Sequence, residues 1–145
     1  MPVAIEERFA LALHTTARRW RNRLDRRLKF LGLSQAGWMT IASVANVGKP
    51  MSQTELATAV GVEGATMVTM LDRLVRDGLV ERQPSPTDRR IKLISLTEAG
   101  KAIFGKVCTE ADLYRDELLA GCDAVALEQA TTILERIGTT IEESR

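Results

Sequence analysis

Apolar positions recur at helical spacing at both ends of the chain, and the spacing changes character in the middle. Ile5, Phe9, Leu13, Thr16, Trp20, Leu24 and Leu28 return every three or four residues with no Pro or Gly among them, which predicts one amphipathic helix from Ile5 to about Phe30. Gly32 is placed to end it in a left-handed C-cap. Ser34 reads as the N-cap of a second helix running to about Asn46, with Trp38, Ile41, Ala42 and Ala45 facing inward. Val47-Gly48-Lys49-Pro50 is a loop, because proline blocks helix continuation.

From Ser52 the elements shorten. Ser52-Gln53-Thr54-Glu55 is a capping box, in which the Ser52 hydroxyl and the Glu55 carboxylate satisfy orphan amides at a helix start. Leu56, Ala57 and Val60 give that helix an apolar side, Gly61 permits a sharp turn, and Val62 plugs the space behind it. The next helix, about Gly64 to Asp77, is predicted to bury Val68, Leu71, Leu74 and Val75 and to leave Thr66, Thr69, Met70, Arg73 and Arg76 outside. Gly78 closes it. Leu79–Gln83 reads as a strand, Pro84–Asp88 as a turn and Ile91–Leu96 as the returning strand. Thr97 and Asp123 are placed to cap two final helices. In the last of them Leu127, Ala130, Leu134, Ile137 and Ile141 form a heptad-like seam.

Two short helices across a tight turn, followed by a hairpin, are the parts of a winged helix-turn-helix in their usual order. That unit reads double-stranded DNA with its second helix in the major groove. The expected fold is mainly α with a small β-wing. Residues 1–33 form an N-terminal dimerisation helix, 34–96 the DNA-reading region, and 97–145 C-terminal dimerisation helices, all in one integrated domain. Gly64 and Ala65 keep the start of the reading helix slim enough to approach a groove. Thr66 and Thr69 can donate to phosphate or touch a thymine methyl, and Arg73 can reach phosphate. Ser52, Thr54, Met70 and Arg76 complete the DNA-facing set on the two helices. The hairpin tip presents Arg89 and Arg90, suited to the negative potential of a narrow A·T-rich minor groove.

Composition narrows the alternatives. The 145 residues are about one domain's worth, and with 45% hydrophobic and 27% charged residues the chain can bury a core and stay soluble. No apolar run reaches the ~20 residues of a membrane span, and Glu6 and Glu7 with an arginine-rich helix do not make a signal peptide; a cytoplasmic protein is expected. A net charge of +1 conceals a polarity: residues 1–92 hold 15 Lys/Arg and 9 Asp/Glu, residues 93–145 hold 5 and 10. A basic leading part suits a polyanionic partner. Arg18, Arg19, Arg21, Arg23, Arg26, Arg27 and Lys29 crowd the first helix, as a solvated face or as contacts to phosphate or another anion. His14 is the single histidine, and Cys108 and Cys122, fourteen positions apart, lack metal-ligand spacing. No metal, cofactor or catalytic constellation is implied, so an enzyme has no positive support.

The terminal helices contribute little to a lone reader, yet their apolar stripes need a partner. Wrapped against a second copy they would set two readers on a pseudo-palindromic operator, half-sites ~10 bp apart; folded back on their own reader they would leave a monomer.

The stretch SQTELATAVGVEGATMVTMLDRLVRDGLVERQPSPTDRRIKLISLTEAG resembles the core of the MarR family of transcriptional regulators, most specifically in Asp88-Arg89-Arg90 and in Leu96–Gly100. Residues 17–38, ARRWRNRLDRRLKFLGLSQAGW, resemble its SlyA-like branch. The resemblance implies an obligate homodimer joined through its first and last helices. It also implies that Arg90 enters the minor groove and that Asp88 braces the arginines. It further implies repression relieved by a small phenolic or aromatic carboxylate effector, in a crevice lined by Thr16, Arg18, Trp38, Met39 and Ala42. There Arg18 would pair the carboxylate and Trp38 stack the ring. Ala42 and Thr69 depart from residues frequent in that branch. A ligand-independent architectural or counter-silencing DNA binder uses the same reader, whereas a protein-interaction adaptor would have no use for the wing arginines.

Overall fold

The computed structural model describes residues 1–144. They run α1 (Ile5–Arg27), a 3-10 turn (Lys29–Leu31), α2 (Gln35–Val47), β1 (Met51–Ser52), α3 (Gln53–Val60), α4 (Gly64–Arg76), β2 (Val80–Pro84), β3 (Lys92–Leu96), α5 (Glu98–Leu119) and α6 (Ala124–Glu143). The fold is mainly helical with one small antiparallel sheet, as expected from the sequence. Residues 1–111 and 112–145 make two compact units.

Capping residues set most helix starts. The Ser34 hydroxyl accepts from the Gly37 amide at 3.1 Å. The Ser52 hydroxyl accepts from the Glu55 amide at 3.2 Å, and the Ser52 amide donates to the Glu55 carboxylate at 2.8 Å. Thr97 Oγ1 accepts from the Gly100 amide and Asp123 Oδ2 from the Ala126 amide. These oxygens satisfy amides that have no partner inside the helix. Ser52→Ala is accordingly expected to lower stability by about 1 kcal/mol, read as a shift of the urea midpoint at unchanged slope.

Helix α1 stops at Arg27, earlier than the pattern suggests. Leu28 turns into the core, and the chain tightens into the 3-10 turn before Gly32 takes a left-handed φ of 70°. Of the predicted stripe only Leu24 and Leu28 are buried, while Ile5 and Phe9 are exposed. The α1 end is tied down by polar contacts: Trp38 Nε1 donates to Asp25 at 3.0 Å, and Arg27 pairs with Glu110 at 3.2 Å.

The core of the first unit joins Ile41 and Val44 of α2, Leu56 and Ala57 of α3, and Met67, Leu71 and Leu74 of α4. Met51, Val80 and Ile94 from the sheet close it. Two expectations fail here. Val68 and Val75 stand 41% and 38% exposed, and Met67 takes the buried place. The strand β1 was not foreseen. It pairs Met51 with Ile94 and Ser52 with Leu93, giving the sheet order β1-β3-β2. Met51 thereby enters the core one residue before the capping box, anchoring α3 to the wing.

Unit two contains the rest of α5 and all of α6. Every described residue of α6 is exposed except half-buried Ile137, including the seam residues Leu127, Leu134 and Ile141. Among the described residues no helix is long and apolar enough to cross a membrane.

Candidate nucleic-acid interface

The turn between α3 and α4 is built around Gly61, whose φ of 79° a residue with a Cβ rarely adopts. Its amide and that of Val62 both donate to the Ala57 carbonyl, at 2.9 and 3.0 Å, and Val62 packs half-buried against the core. Helix α4 therefore leaves the turn in a fixed direction. Among the described residues no side chain caps its first turn, so those amides are open to water or to an anionic oxygen.

Gly64, Ala65, Thr66, Thr69, Arg73 and Arg76 are all exposed on α4, and Thr54 is exposed on α3. Ser52 is half-buried, its hydroxyl engaged in the capping box, and the Thr69 hydroxyl donates to the Ala65 carbonyl at 3.2 Å. Met70 does not belong with them. It packs half-buried against the core, its sulfur 3.9 Å from the Ser34 hydroxyl. The cause is the same rotation of the buried face that brings Met67 in and turns Val68 out.

The wing is a stiff hairpin. Pro84 extends β2 as the partner of Lys92 and is not part of the turn. Beyond it Ser85 donates its amide to the Ile91 carbonyl at 2.8 Å, and the Ile91 amide donates to the Asp88 carbonyl at 3.0 Å. Ser85 is buried, its hydroxyl 3.1 Å from that of Thr87. At the tip the Arg90 backbone amide and Nε both donate to Asp88 Oδ1, at 3.0 and 3.1 Å, while Nη2 donates to Oδ2 at 3.1 Å. The brace thus holds one edge of the guanidinium and leaves Nη1 directed elsewhere, on a side chain that is 90% exposed. Arg89 is exposed and makes no hydrogen bond to another described residue, so Asp88 braces one arginine and not both.

Arg90 holds the Asp88 carboxyl below the ordinary aspartate range, through its side-chain hydrogen bonds and then its backbone amide, against a small opposing effect of desolvation. A lowered carboxyl favours the ordered tip at every pH above the ordinary aspartate value. That contribution fades as pH falls through the lowered value. A carbon-detected titration should find the Asp88 midpoint below that of an unstructured aspartate, and Arg90→Ala should raise it by removing the side-chain hydrogen bonds while the backbone amide of residue 90 still holds it down.

Arg82, which the sequence motifs do not single out, joins the wing to the second helix of the pair. From β2 its Nη1 pairs with Asp72 at 2.7 Å and its Nη2 reaches the Val68 carbonyl at 3.4 Å, tying the wing to two successive turns of α4. Alternation along the strand carried the signal: Arg82 shares the face of buried Val80.

The residues expected to line a ligand crevice differ in exposure. Trp38 is buried, with its indole N–H committed to Asp25. Thr16 and Arg18 are exposed, and Met39 and Ala42 are half-buried. Met39 lines a cleft with Arg21, Gln35 and Thr58. A separate cleft of about 400 Å³ lies between Val44, Leu96 and Phe104, with Lys49 and Lys101 also lining it. Cys108 is half-buried and Cys122 exposed, both free thiols. Among the described residues no cluster of His, Cys, Asp and Glu could hold a metal ion.

Comparison with known proteins gives consistent answers. A model of the MarR family matches residues 33–92, which span α2 to the start of β3. The transcriptional regulator PA3341 is 38% identical, with 93% of this chain and 98% of that one covered and a TM-score of 0.84. A mutant MarR from E. coli, crystallised with operator DNA, is 24% identical over 93% of this chain and 99% of its own, with a TM-score of 0.73. The transcriptional regulator SlyA is 22% identical over 94% and 95%, with a TM-score of 0.78. The last two are likenesses of fold.

Proposed function

The chain belongs to the MarR family of transcriptional regulators, and from that premise we propose that it is a homodimeric, sequence-specific DNA-binding regulator, a cytoplasmic repressor of the SlyA-like branch whose hold on a pseudo-palindromic operator is relieved by a small anionic aromatic ligand. The observation that carries the DNA-binding part is the wing tip: an arginine held on its Nε edge by Asp88, on a hairpin joined by Arg82 to a helix exposing Thr66, Thr69, Arg73 and Arg76. Arg73, Arg76, Arg89 and Arg90 supply phosphate and groove contacts, Thr54 and Thr66 the shorter polar ones, and Ser52 orients the start of α3.

Dimerisation is supported by apolar side chains left in solvent: Ile5, Phe9 and Leu11 on α1, and Val125, Ile133, Leu134 and Ile141 on α6. Burying such a side chain contributes about 1.5–3 kcal/mol. We keep residues 1–33 and 97–145 as the dimerising parts and 34–96 as the reader. The SlyA-like assignment rests on residues 17–38.

The test uses a duplex selected by the full-length protein from a randomised library. Binding should fall steeply with salt and exceed binding to a scrambled duplex by about a thousandfold or more. Equal affinity for both duplexes would refute sequence-specific regulation. Titrating the complex with phenols and aromatic carboxylates then addresses relief. The cleft between Phe104, Leu96, Lys49 and Lys101 supports a ligand with an apolar ring and a negative charge. The burial of Trp38 and the engagement of its N–H favour the second reading, a ligand-independent architectural or counter-silencing binder. Unchanged operator affinity across the panel would select it.

A further inference from the structure

The outward turn of Val68 leaves an aliphatic side chain where the reader meets its target. Val68 is 41% exposed. With Gln53, Thr54, Ala57, Thr58, Val62 and Gly64 it lines a cleft of about 380 Å³ between α3 and the first half of α4. A Cβ added at Gly64 would meet nothing within 4 Å, so the cleft is open on the side of the slim first turn. Exposed hydroxyls stand nearby on the same two helices, at Thr54, Thr58, Thr66 and Thr69. Those can serve phosphates and base edges, and a valine can serve neither.

Single exposed valines are ordinary on protein surfaces. Val68 differs in how firmly it is aimed. Its carbonyl receives Arg82 Nη2 at 3.4 Å, and the same guanidinium pairs with Asp72 one turn further along α4. This part of the helix is therefore tied to the wing strand, and a β-branched side chain in a helix holds essentially one rotamer. In the major groove the apolar group that distinguishes one base pair from the others is the thymine C5-methyl.

We propose that Val68 is a specificity-determining residue that reads the methyl group of one thymine in each operator half-site. This rests on the DNA-reading function proposed above and adds to it the chemical group that is read. The threonines around Val68 take the polar contacts, and the valine rejects cytosine and guanine at its position by offering an apolar surface to their polar edges.

The test scans the selected duplex with the full-length protein, replacing each thymine in turn by deoxyuridine, which deletes the methyl and keeps every hydrogen-bonding group. One thymine per half-site should show a loss of about three- to five-fold, the worth of one methyl withdrawn from water. Val68→Ala, with its helix content checked by circular dichroism, should bind the unmodified duplex more weakly by a similar factor. It should be indifferent to uracil at that position. A flat uracil profile on a duplex that is bound tightly overturns the inference and leaves DNA reading intact. Undiminished uracil sensitivity in Val68→Ala overturns it as well, by assigning the methyl to another residue. Absence of any salt-dependent binding removes the DNA-reading function, and this inference with it.

Discussion

Arg90→Ala is expected to weaken operator binding by about 1–3 kcal/mol, with the loss concentrated on duplexes whose flanks are A·T-rich. The size follows from preorganisation. A free arginine must surrender rotamer freedom to enter a groove. Arg90 has already done so, because Asp88 accepts from its Nε, Nη2 and backbone amide. The hairpin beneath is set by the Ser85–Ile91 and Ile91–Asp88 hydrogen bonds. What remains is a rigid, weakly hydrated cation with Nη1 free, the form of charge that a narrow minor groove attracts. Arg89 gives the internal comparison. It is exposed and makes no hydrogen bond to a described residue, so Arg89→Ala should cost less and show no preference for flank sequence. Affinities measured on paired duplexes with A·T-rich and G·C-rich flanks check both variants. Equal, flank-independent losses would remove the special role of the brace.

The second large effect concerns folding. Gly100→Ala is expected to destabilise the protein by about 1–3 kcal/mol, and by more if the backbone cannot yield. A Cβ at this position would fall far inside van der Waals contact with the Leu79 carbonyl and close to its carbonyl carbon. Backbone cannot swing aside as a side chain does. The same carbonyl also accepts from the Thr97 amide at 3.1 Å, and Thr97 Oγ1 donates to the Gly78 carbonyl at 2.6 Å. The α5 start, the turn after α4 and the base of the wing are thus locked together at one point, and any shift must move all three. Gly105→Ala provides the contrast, since a Cβ there meets nothing within 4 Å and should stabilise the exposed helix by about 0.5–1 kcal/mol. Thermal and urea unfolding of the two variants should move in opposite directions.

Gly100 also shows what the sequence could and could not convey. Its place in the Leu96–Gly100 segment was legible as part of a family resemblance. The reason for it, an approach of two backbones 21 residues apart, lies in tertiary structure alone. Caps were legible because they are local chemistry: Ser34, Ser52, Thr97 and Asp123 each bond an amide three residues on. The strand β1 was not, because two residues carry no period and their partners lie near position 94. Along α4 the expected set Val68, Leu71, Leu74 and Val75 and the observed set Met67, Leu71 and Leu74 share two residues, and both fit a helical repeat. Only the neighbours in space decide which set turns inward, and they chose the second. That one choice drew Met70 partly into the core and turned Val68 out to solvent. At the wing the sequence placed both arginines on the tip. The partition between braced Arg90 and unbraced Arg89 depends on how the turn closes, which residue types do not encode.

The central claim is that two copies of this reader act together on DNA, and sedimentation of the protein with its selected duplex tests it most directly. At micromolar protein the free chain should sediment as a dimer, and the complex should contain two chains per duplex, with protection of two half-sites about one helical turn, ~10 bp, apart. A stable monomer that forms a one-to-one complex and protects a single half-site would contradict the account.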